Sequence, residues 1–218
     1  MRRGFIRSVV AICTTLTLIL AMPSTTLGYS HIQASMSANN NGIGDWDMDF
    51  CFEYGTPPYN NQGAAMSGLA HWAAMMTHLS ATIANPGDAD NCWGANVEIR
   101  FDNIDPECDE IVAQATGLGM NDTFFTVQLN SQCGPWWYGG VPVPTGYLDA
   151  PTIIAHELGH GLGLGHTQPQ YLSLMTSGYC HTGFRITVVS NDDKLGLQTW
   201  YPAWAIPVTR PTYATCST

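Results

Sequence analysis

Residues 156–166 read HELGHGLGLGH, with three histidines, one carboxylate and four glycines in eleven residues. His156 and His160 are four residues apart, so on a helix their imidazoles project together and can share one tetrahedral metal ion. Glu157 directly follows His156 on this helix, so it would lie beside such an ion and not bind it. It is therefore predicted to act as the general base for a water that the metal activates.

The residues around this stretch predict that it begins as a helix. Asp149 can cap the amino end, and Pro151 suits the first helical turn. Ile154, Leu158 and Leu162 recur every four residues and form one apolar face. At about 100° per residue the two histidines face nearly the opposite way. The helix is predicted to lie with one side in the core and the other lining a cleft.

A third histidine, His166, can join the first two only if the helix ends. Six residues beyond His160, it would lie about 9 Å further along a continuous helix. Gly163 stands where a left-handed turn would fold the chain back, since glycine takes positive φ without strain. The extended spacing predicts a zinc site formed by His156, His160 and His166.

The amino end has the order of a secretory signal. Three arginines precede an apolar run over residues 9–21, which is too short for a confident spanning helix, and small or polar residues follow up to Gly28. We expect a signal peptide over 1–28, a polar flexible leader over 29–44 and one catalytic domain over 45–218. The protein is predicted to be secreted and extracellular.

The net charge excludes some partners. The chain carries a formal charge of −10, which becomes −13 if the three arginines of the signal are removed. Such a surface repels nucleic acid and anionic membranes. We therefore expect no nucleic-acid partner and, after signal cleavage, no membrane partner.

Six cysteines remain beyond the predicted signal, and an exported chain with an even number favours three disulfides. None stands in a C-x-x-C pair, which argues against a cysteine zinc site. Sequence leaves all 15 pairings open. The six are Cys51, Cys92, Cys108, Cys133, Cys180 and Cys216.

The rest of the domain mixes strand and helix patterns. Apolar residues alternate with aspartates over 45–52, which predicts a half-buried strand with a solvated acidic face. The other predicted elements are an amphipathic helix over 63–79, strands over 95–101, 111–116 and 123–129, and a Gly/Pro-rich loop over 132–146.

Two other sets of candidate ligands are set aside. Asp45, Asp47 and Asp49 would diverge on an extended strand, so a solvent face is favoured over a calcium site. His71 and His78 have no acidic or histidine partner at i+4 and are predicted to be surface or core residues.

The sequence resembles the metzincin metalloproteases, whose signature is matched by His156, Glu157, His160, Gly163 and His166. Leu174-Met175-Thr176 also resembles the methionine turn of that family. Within it, the sequence is most similar to the matrixin branch on three features. These are Thr167 after the third histidine, residues 191–201, which resemble the closing helix, and Trp46–Tyr54 followed by the helix over 63–79, which resemble the first strand and first helix.

The resemblance implies an α+β fold of the metzincin-like zincin type. It comprises a twisted mixed sheet packed on the active-site helix and a second long helix, with a small carboxyl-terminal subdomain that ends in a helix. Met175 would be an apolar floor beneath the metal and not a ligand. Residues 177–190 would form a wall of the substrate pocket.

The resemblance also implies a substrate-binding edge strand, because an exposed edge offers unpaired backbone groups to an extended peptide. The residues in this place are Ile111, Val112, Ala113, Gln114, Ala115 and Thr116.

Some family features are missing. The calcium-loop pattern is not found, so calcium stays an open possibility without a motif to support it. No propeptide segment with a metal-blocking cysteine precedes residue 45. Ser177 stands where some metzincins have a tyrosine after the methionine, and six cysteines are unlike most matrixins.

These features together predict a secreted zinc-dependent endopeptidase, acting as a monomer on protein or peptide substrates. The alternative is a secreted zinc-containing binding or structural module with little or no turnover. The missing latency segment and a cleft narrowed by the loop at Trp136, Trp137 and Tyr138 would favour it, whereas the intact Glu157 argues against it. A third possibility is zinc-dependent hydrolysis of a non-peptide substrate.

Overall fold

The computed structural model describes residues 30–31, 46–52, 61–75, 79–83, 95–117, 124–167, 173–176 and 189–201. Its helices are α1 (Asn61–Ala73), α2 (Ala150–Gly161) and α3 (Asn191–Trp200). Its strands are β1 (Ser30–His31), β2 (Trp46–Phe52), β3 (Leu79–Ile83), β4 (Val97–Asp102), β5 (Ala113–Thr116), β6 (Phe125–Asn130), β7 (Trp136–Trp137), β8 (Leu148–Asp149) and β9 (Leu164–Gly165).

Five strands form a mixed sheet in the order β3-β2-β4-β6-β5. The first four are parallel to one another, and β5 runs antiparallel to β6 at one edge. The sheet and helices share one apolar core, in which Trp72, Phe50, Phe125 and Leu158 are all fully buried. The predicted α+β fold with a mixed sheet on two helices is confirmed.

The interior strand β2 differs from the prediction for residues 45–52. Phe50, Cys51 and Phe52 are all buried, so both faces of the strand are covered at this end. A solvated face is wrong at this end, because Cys51 lies on the same face as the aspartates and is buried and disulfide-bonded. The side chains of the three aspartates lie outside the described residues.

The first helix is shorter than the predicted range 63–79. It ends at Ala73, and Leu79 opens strand β3, which the pattern did not predict. The residues between the helix and Leu79 are rich in alanine and methionine, and their pattern does not separate a helix from a strand. In the fold, β3 is the parallel neighbour of β2.

Side chains hold the loop that leads into the edge strand. Asp105 accepts hydrogen bonds from the backbone N–H of Glu107, Asp109, Glu110 and Ile111. The Asn130 amide donates to the carbonyl oxygens of Asp105 and Ile111 at 2.7 and 2.8 Å.

These contacts explain why the edge strand begins at Ala113 and not at Ile111 as predicted. The N–H and the carbonyl of Ile111 are hydrogen-bonded to side chains. These bonds replace the backbone bonds to a neighbouring strand. A disulfide between Cys108 and Cys133 closes the same loop and confirms one cystine. Cys51 is also disulfide-bonded, and its partner lies outside the described residues.

Two short pairings were not predicted. In the loop over 132–146, Trp136–Trp137 pairs in parallel with Leu148–Asp149. In the predicted leader, Ser30–His31 pairs antiparallel with Leu164–Gly165.

Several predictions fall outside the described residues, namely the signal peptide, most of the leader, His78, the pocket wall over 177–190, and Cys92, Cys180 and Cys216. Among the helices that the structure describes, none has the length and apolar character needed to cross a bilayer.

We predict that Gly161→Ala destabilises the fold through overpacking. A Cβ at Gly161 would lie 2.7 Å from Phe125 Cε1, and it would contact the ring Cζ still more closely. The free energy of unfolding should fall by about 1–3 kcal/mol in urea denaturation.

Gly63→Ala is the matched control, because it is also a helical glycine but has nothing within 4 Å of the added Cβ. It should stabilise the protein by about 0.5–1 kcal/mol through helix propensity. Equal effects of the two substitutions would contradict the packing argument.

Candidate metal centre

The start of α2 fixes where the histidine-bearing turns lie. Asp149 caps the helix by accepting from Thr152 N at 3.2 Å and from Thr152 Oγ1 at 2.6 Å. Pro151 occupies the first turn, where its missing N–H costs no hydrogen bond. The predicted helix start is confirmed.

The helix ends where the third histidine requires it to end. The last helical residue is Gly161, and Gly163 adopts φ +91°, a left-handed conformation. The Gly163 N–H donates to the His160 carbonyl at 2.9 Å and closes the last turn. The chain then continues as Leu164–Gly165 towards His166. Gly163 therefore has the turn conformation that the sequence predicts.

The turn brings the three histidines together. One ring nitrogen of each of His156, His160 and His166 lies within 4.8 Å of the others, and among the described residues this is the only group of three potential ligands. His156 Nε2 and His166 Nε2 are 3.1 Å apart. Two nitrogens bound to one tetrahedral zinc at 2.0–2.1 Å would be separated by roughly 3.3 Å. The donor set therefore fits zinc.

Hydrogen bonds at the other ring nitrogen orient the two helical histidines. His156 Nδ1 lies 2.7 Å from the Leu174 carbonyl oxygen, and His160 Nδ1 lies 2.7 Å from the Leu164 carbonyl oxygen. A carbonyl can only accept, so each Nδ1 carries the proton and donates it. Each Nε2 then keeps its lone pair for a metal, the arrangement typical of histidine ligands.

The burial of the site favours neutral imidazoles. Burial lowers the pKa of His160 to about 4, with a smaller contribution from the neighbouring His166. Burial also lowers the pKa of His166. Since only a neutral imidazole can bind a metal, these shifts favour the ligating form of His160 and His166 at neutral pH.

Glu157 is enclosed beside the histidines, with 4% of its surface exposed. Burial raises its pKa to about 8, whereas a hydrogen bond from the Ala115 backbone opposes this shift. Its Oε2 has no hydrogen-bond partner among the described residues. A buried carboxyl group whose pKa is raised towards neutrality can both accept and release a proton.

The predicted substrate strand lies at the edge of the sheet beside this carboxylate. Asn130 N donates to Val112 O at 2.9 Å, which makes these two residues a hydrogen-bonded pair. In an antiparallel ladder, hydrogen-bonded pairs alternate with pairs that are not hydrogen-bonded. The backbone groups of Gln114 and Thr116 therefore also bond to β6. The backbone groups of Ala113 and Ala115 therefore point to the open side, and the Ala115 N–H contacts Glu157.

Met175 lies in the buried turn beneath the active-site helix. Its Sδ occupies the space where a Cβ on Gly159 would be, so glycine at 159 lets the turn approach α2. Thr167 N donates to Met175 O at 2.9 Å and links the turn to the residue after His166. This glycine contact was not predicted from the sequence.

Asp193 holds the same turn and was also missed. Its carboxylate accepts from Leu174 N at 3.0 Å, Met175 N at 3.3 Å and Ser173 Oγ. It also caps α3 by bonding to Ser190 N and Oγ. Burial raises the pKa of Asp193, whereas its donors favour the charged form. The S-x-x-D spacing of a capping box could have identified it.

We predict that Gly163→Val weakens zinc binding without removing a ligand. A β-branched residue strains φ +91°, so the turn that delivers His166 should shift. Zinc affinity, measured by competition with a chromogenic chelator, should fall at least tenfold.

The matched control is Gly146→Val, because Gly146 also has a positive φ, of 83°, with nothing within 4 Å of an added Cβ. It should lower stability but leave zinc affinity within about twofold. The account of the turn fails if both variants retain zinc like the parent.

We predict that Asp193→Asn destabilises the methionine turn. An amide presents N–H groups to a site where Ser173, Leu174, Met175 and Ser190 all donate. Unfolding free energy should fall by about 2–3 kcal/mol. The exposed Asp109→Asn should change it by less than about 0.5 kcal/mol, and an equal loss at both sites would contradict this role.

The comparisons with known proteins agree with this geometry. The family model for matrixin matches residues 57–202, which include both long helices, the histidine turn and the methionine turn. None of the curated proteins compared with the chain matches it. Since the match spans more than half of the chain, the protein belongs to the matrixin family.

Proposed function

We propose that this protein is a secreted zinc-dependent endopeptidase. The observation that carries the proposal is that three histidines with converging ring nitrogens lie beside a buried glutamate, in a member of a family that uses catalytic zinc. Family membership supports protein or peptide substrates and the hydrolysis of peptide bonds.

His156, His160 and His166 would hold the zinc through Nε2 of the two helical residues and one ring nitrogen of the third. The carbonyls of Leu174 and Leu164 keep the first two rings turned towards the ion. When bound, zinc polarises a peptide carbonyl and lowers the pKa of a water.

Glu157 would serve as the general base. Its carboxylate is enclosed beside the ligand His156, and Oε2 has no partner among the described residues. It would take a proton from the attacking water and deliver it to the leaving amine. Its low exposure keeps bulk water from competing for that proton.

The edge strand would hold the peptide. Backbone groups of Ala113 and the carbonyl of Ala115 face the open side of β5, where an extended chain can add as a further strand. Main-chain hydrogen bonds do not depend on side-chain identity, so this edge suits substrates of varied sequence.

Export is supported by the sequence at the amino end and by the disulfides. The Cys108–Cys133 cystine and the bonded Cys51 suit an oxidising compartment. We retain the proposal of a signal peptide over 1–28 and a leader before the domain. A structural calcium ion gains no support, because the described residues gather no second group of three potential ligands.

The binding-module alternative is not favoured. A site that only retained zinc would have no use for a buried carboxyl group without a partner at Oε2 among the described residues, since burying such a group costs free energy.

We predict that Glu157→Gln abolishes hydrolysis and keeps the metal. An amide has the same shape but cannot take a proton from water. Cleavage of a diverse peptide library should fall by a factor of about 10²–10⁴, while zinc content by atomic absorption stays that of the parent.

Glu107→Gln is the control, since Glu107 is exposed and lies in the loop before β5. It should cleave like the parent, and a chelator should stop both. Parental activity of Glu157→Gln would disprove the base assignment, and a parent that binds zinc but cleaves no library member would disprove the endopeptidase.

A further inference from the structure

The indole of Trp72 contacts the active-site helix directly before the first histidine. Trp72 is fully buried near the end of α1, and its Nε1–H donates to the Ala155 carbonyl at 2.7 Å. Inside a helix, a carbonyl ordinarily accepts only the N–H four residues later. The indole bond is therefore an additional tie between α1 and the residue preceding His156.

The two helices approach closely enough for this bond because α1 carries Gly68 one turn earlier. A Cβ on Gly68 would lie 3.0 Å from both Pro151 O and Ala155 N. A larger side chain would push α1 away from α2 and take the indole out of reach of the Ala155 carbonyl.

The same ring contacts α2 a second time, one turn further on. Trp72 Cζ2 lies 2.7 Å from the place that a Cβ on Gly159 would occupy, with Met175 Sδ beside it. Ala155 and Gly159 each directly precede a histidine. The indole therefore covers a stripe of α2 about 100° from the side that carries His156 and His160.

The orientation of α2 matters because its histidines bond to carbonyls on other segments. Both Nδ1 contacts, to Leu174 and Leu164, are 2.7 Å long. A small rotation of α2 about its axis would lengthen these bonds and move both Nε2 atoms.

We propose that Trp72 is a positioning residue of the metal centre. Through Ala155 and Gly159 it fixes the rotation of α2, and so the direction of the two helical histidines. This inference rests on one part of the proposed function, the binding of zinc by these histidines, and does not depend on peptide hydrolysis.

The competing account is that Trp72 only fills the core. In that case its replacement lowers the free energy of unfolding but leaves the geometry of the metal site unchanged in the folded protein. The two accounts differ in metal affinity and in the ligand field, not in stability.

The test uses two replacements of Trp72 in the full chain. Trp72→Phe removes the N–H and one ring, whereas 3-benzothienylalanine, introduced by nonsense suppression, replaces the N–H by sulfur and keeps the shape. Trp136→Phe is the matched control, since Trp136 Nε1 is buried and has no acceptor among the described residues.

Three quantities are measured for each protein: zinc affinity by chelator competition, the visible absorption bands of the cobalt(II)-substituted protein, and kcat and KM on a cleaved library peptide. For both Trp72 variants we expect zinc affinity to fall about tenfold. This is the smaller end of the loss that follows when a residue that orients a metal ligand is replaced. The cobalt bands should shift, and kcat should fall while KM changes by less than about twofold. Trp136→Phe should leave the zinc affinity and the cobalt bands unchanged.

Parental zinc affinity and cobalt bands in the benzothienylalanine variant would overturn the proposal, even if Trp72→Phe unfolds more easily. If the parent binds zinc and cleaves no peptide, the endopeptidase fails while affinity and cobalt bands still decide the role of Trp72. A parent that binds no zinc would overturn both.

Discussion

The hydrogen bonds from Nδ1 of His156 and His160 to main-chain carbonyls are the constraint on which the rest of the structure depends. They turn two flexible imidazoles into directed donors, because a ring held at one nitrogen can present only the other. The two acceptors belong to separate segments. Asp193 holds the segment of Leu174, and the Gly163 turn together with β1 holds the segment of Leu164. Asp193, the Gly163 turn and β1 therefore all help to place these two carbonyl oxygen atoms.

The sequence predicted the parts of the site that depend on local geometry. The four-residue spacing of His156 and His160, the cap at Asp149 and the glycine at 163 each follow from the dihedral angles and pitch of a helix. These features lie within a few residues of one another, so no knowledge of the sheet was needed. The mixed sheet was likewise predictable at the level of fold class, since the family resemblance implied a twisted mixed sheet with an edge strand.

The sequence could not predict what one segment contacts in another. Gly159 and Gly161 were left without a role because their neighbours, Met175 and the Phe125 ring, come from distant parts of the chain. The solvated face expected for β2 failed at Cys51 for a similar reason, because this cysteine is disulfide-bonded and the sequence left its partner open. Ile111 was placed in the edge strand because its type suits a strand, whereas side chains of Asp105 and Asn130 hold its backbone.

The pairing of Ser30–His31 with Leu164–Gly165 has a consequence for the order in which the protein folds. It joins segments 134 residues apart, and the Trp72 bond to Ala155 spans 83 residues. To form contacts between residues so far apart in sequence, the chain must first lose the entropy of closing a long loop. Such contacts therefore slow folding. The HELGHGLGLGH stretch can form its helix early from local contacts alone. Its third histidine directly follows the paired Leu164–Gly165, so the segment that carries His166 is held in part by a contact that forms late.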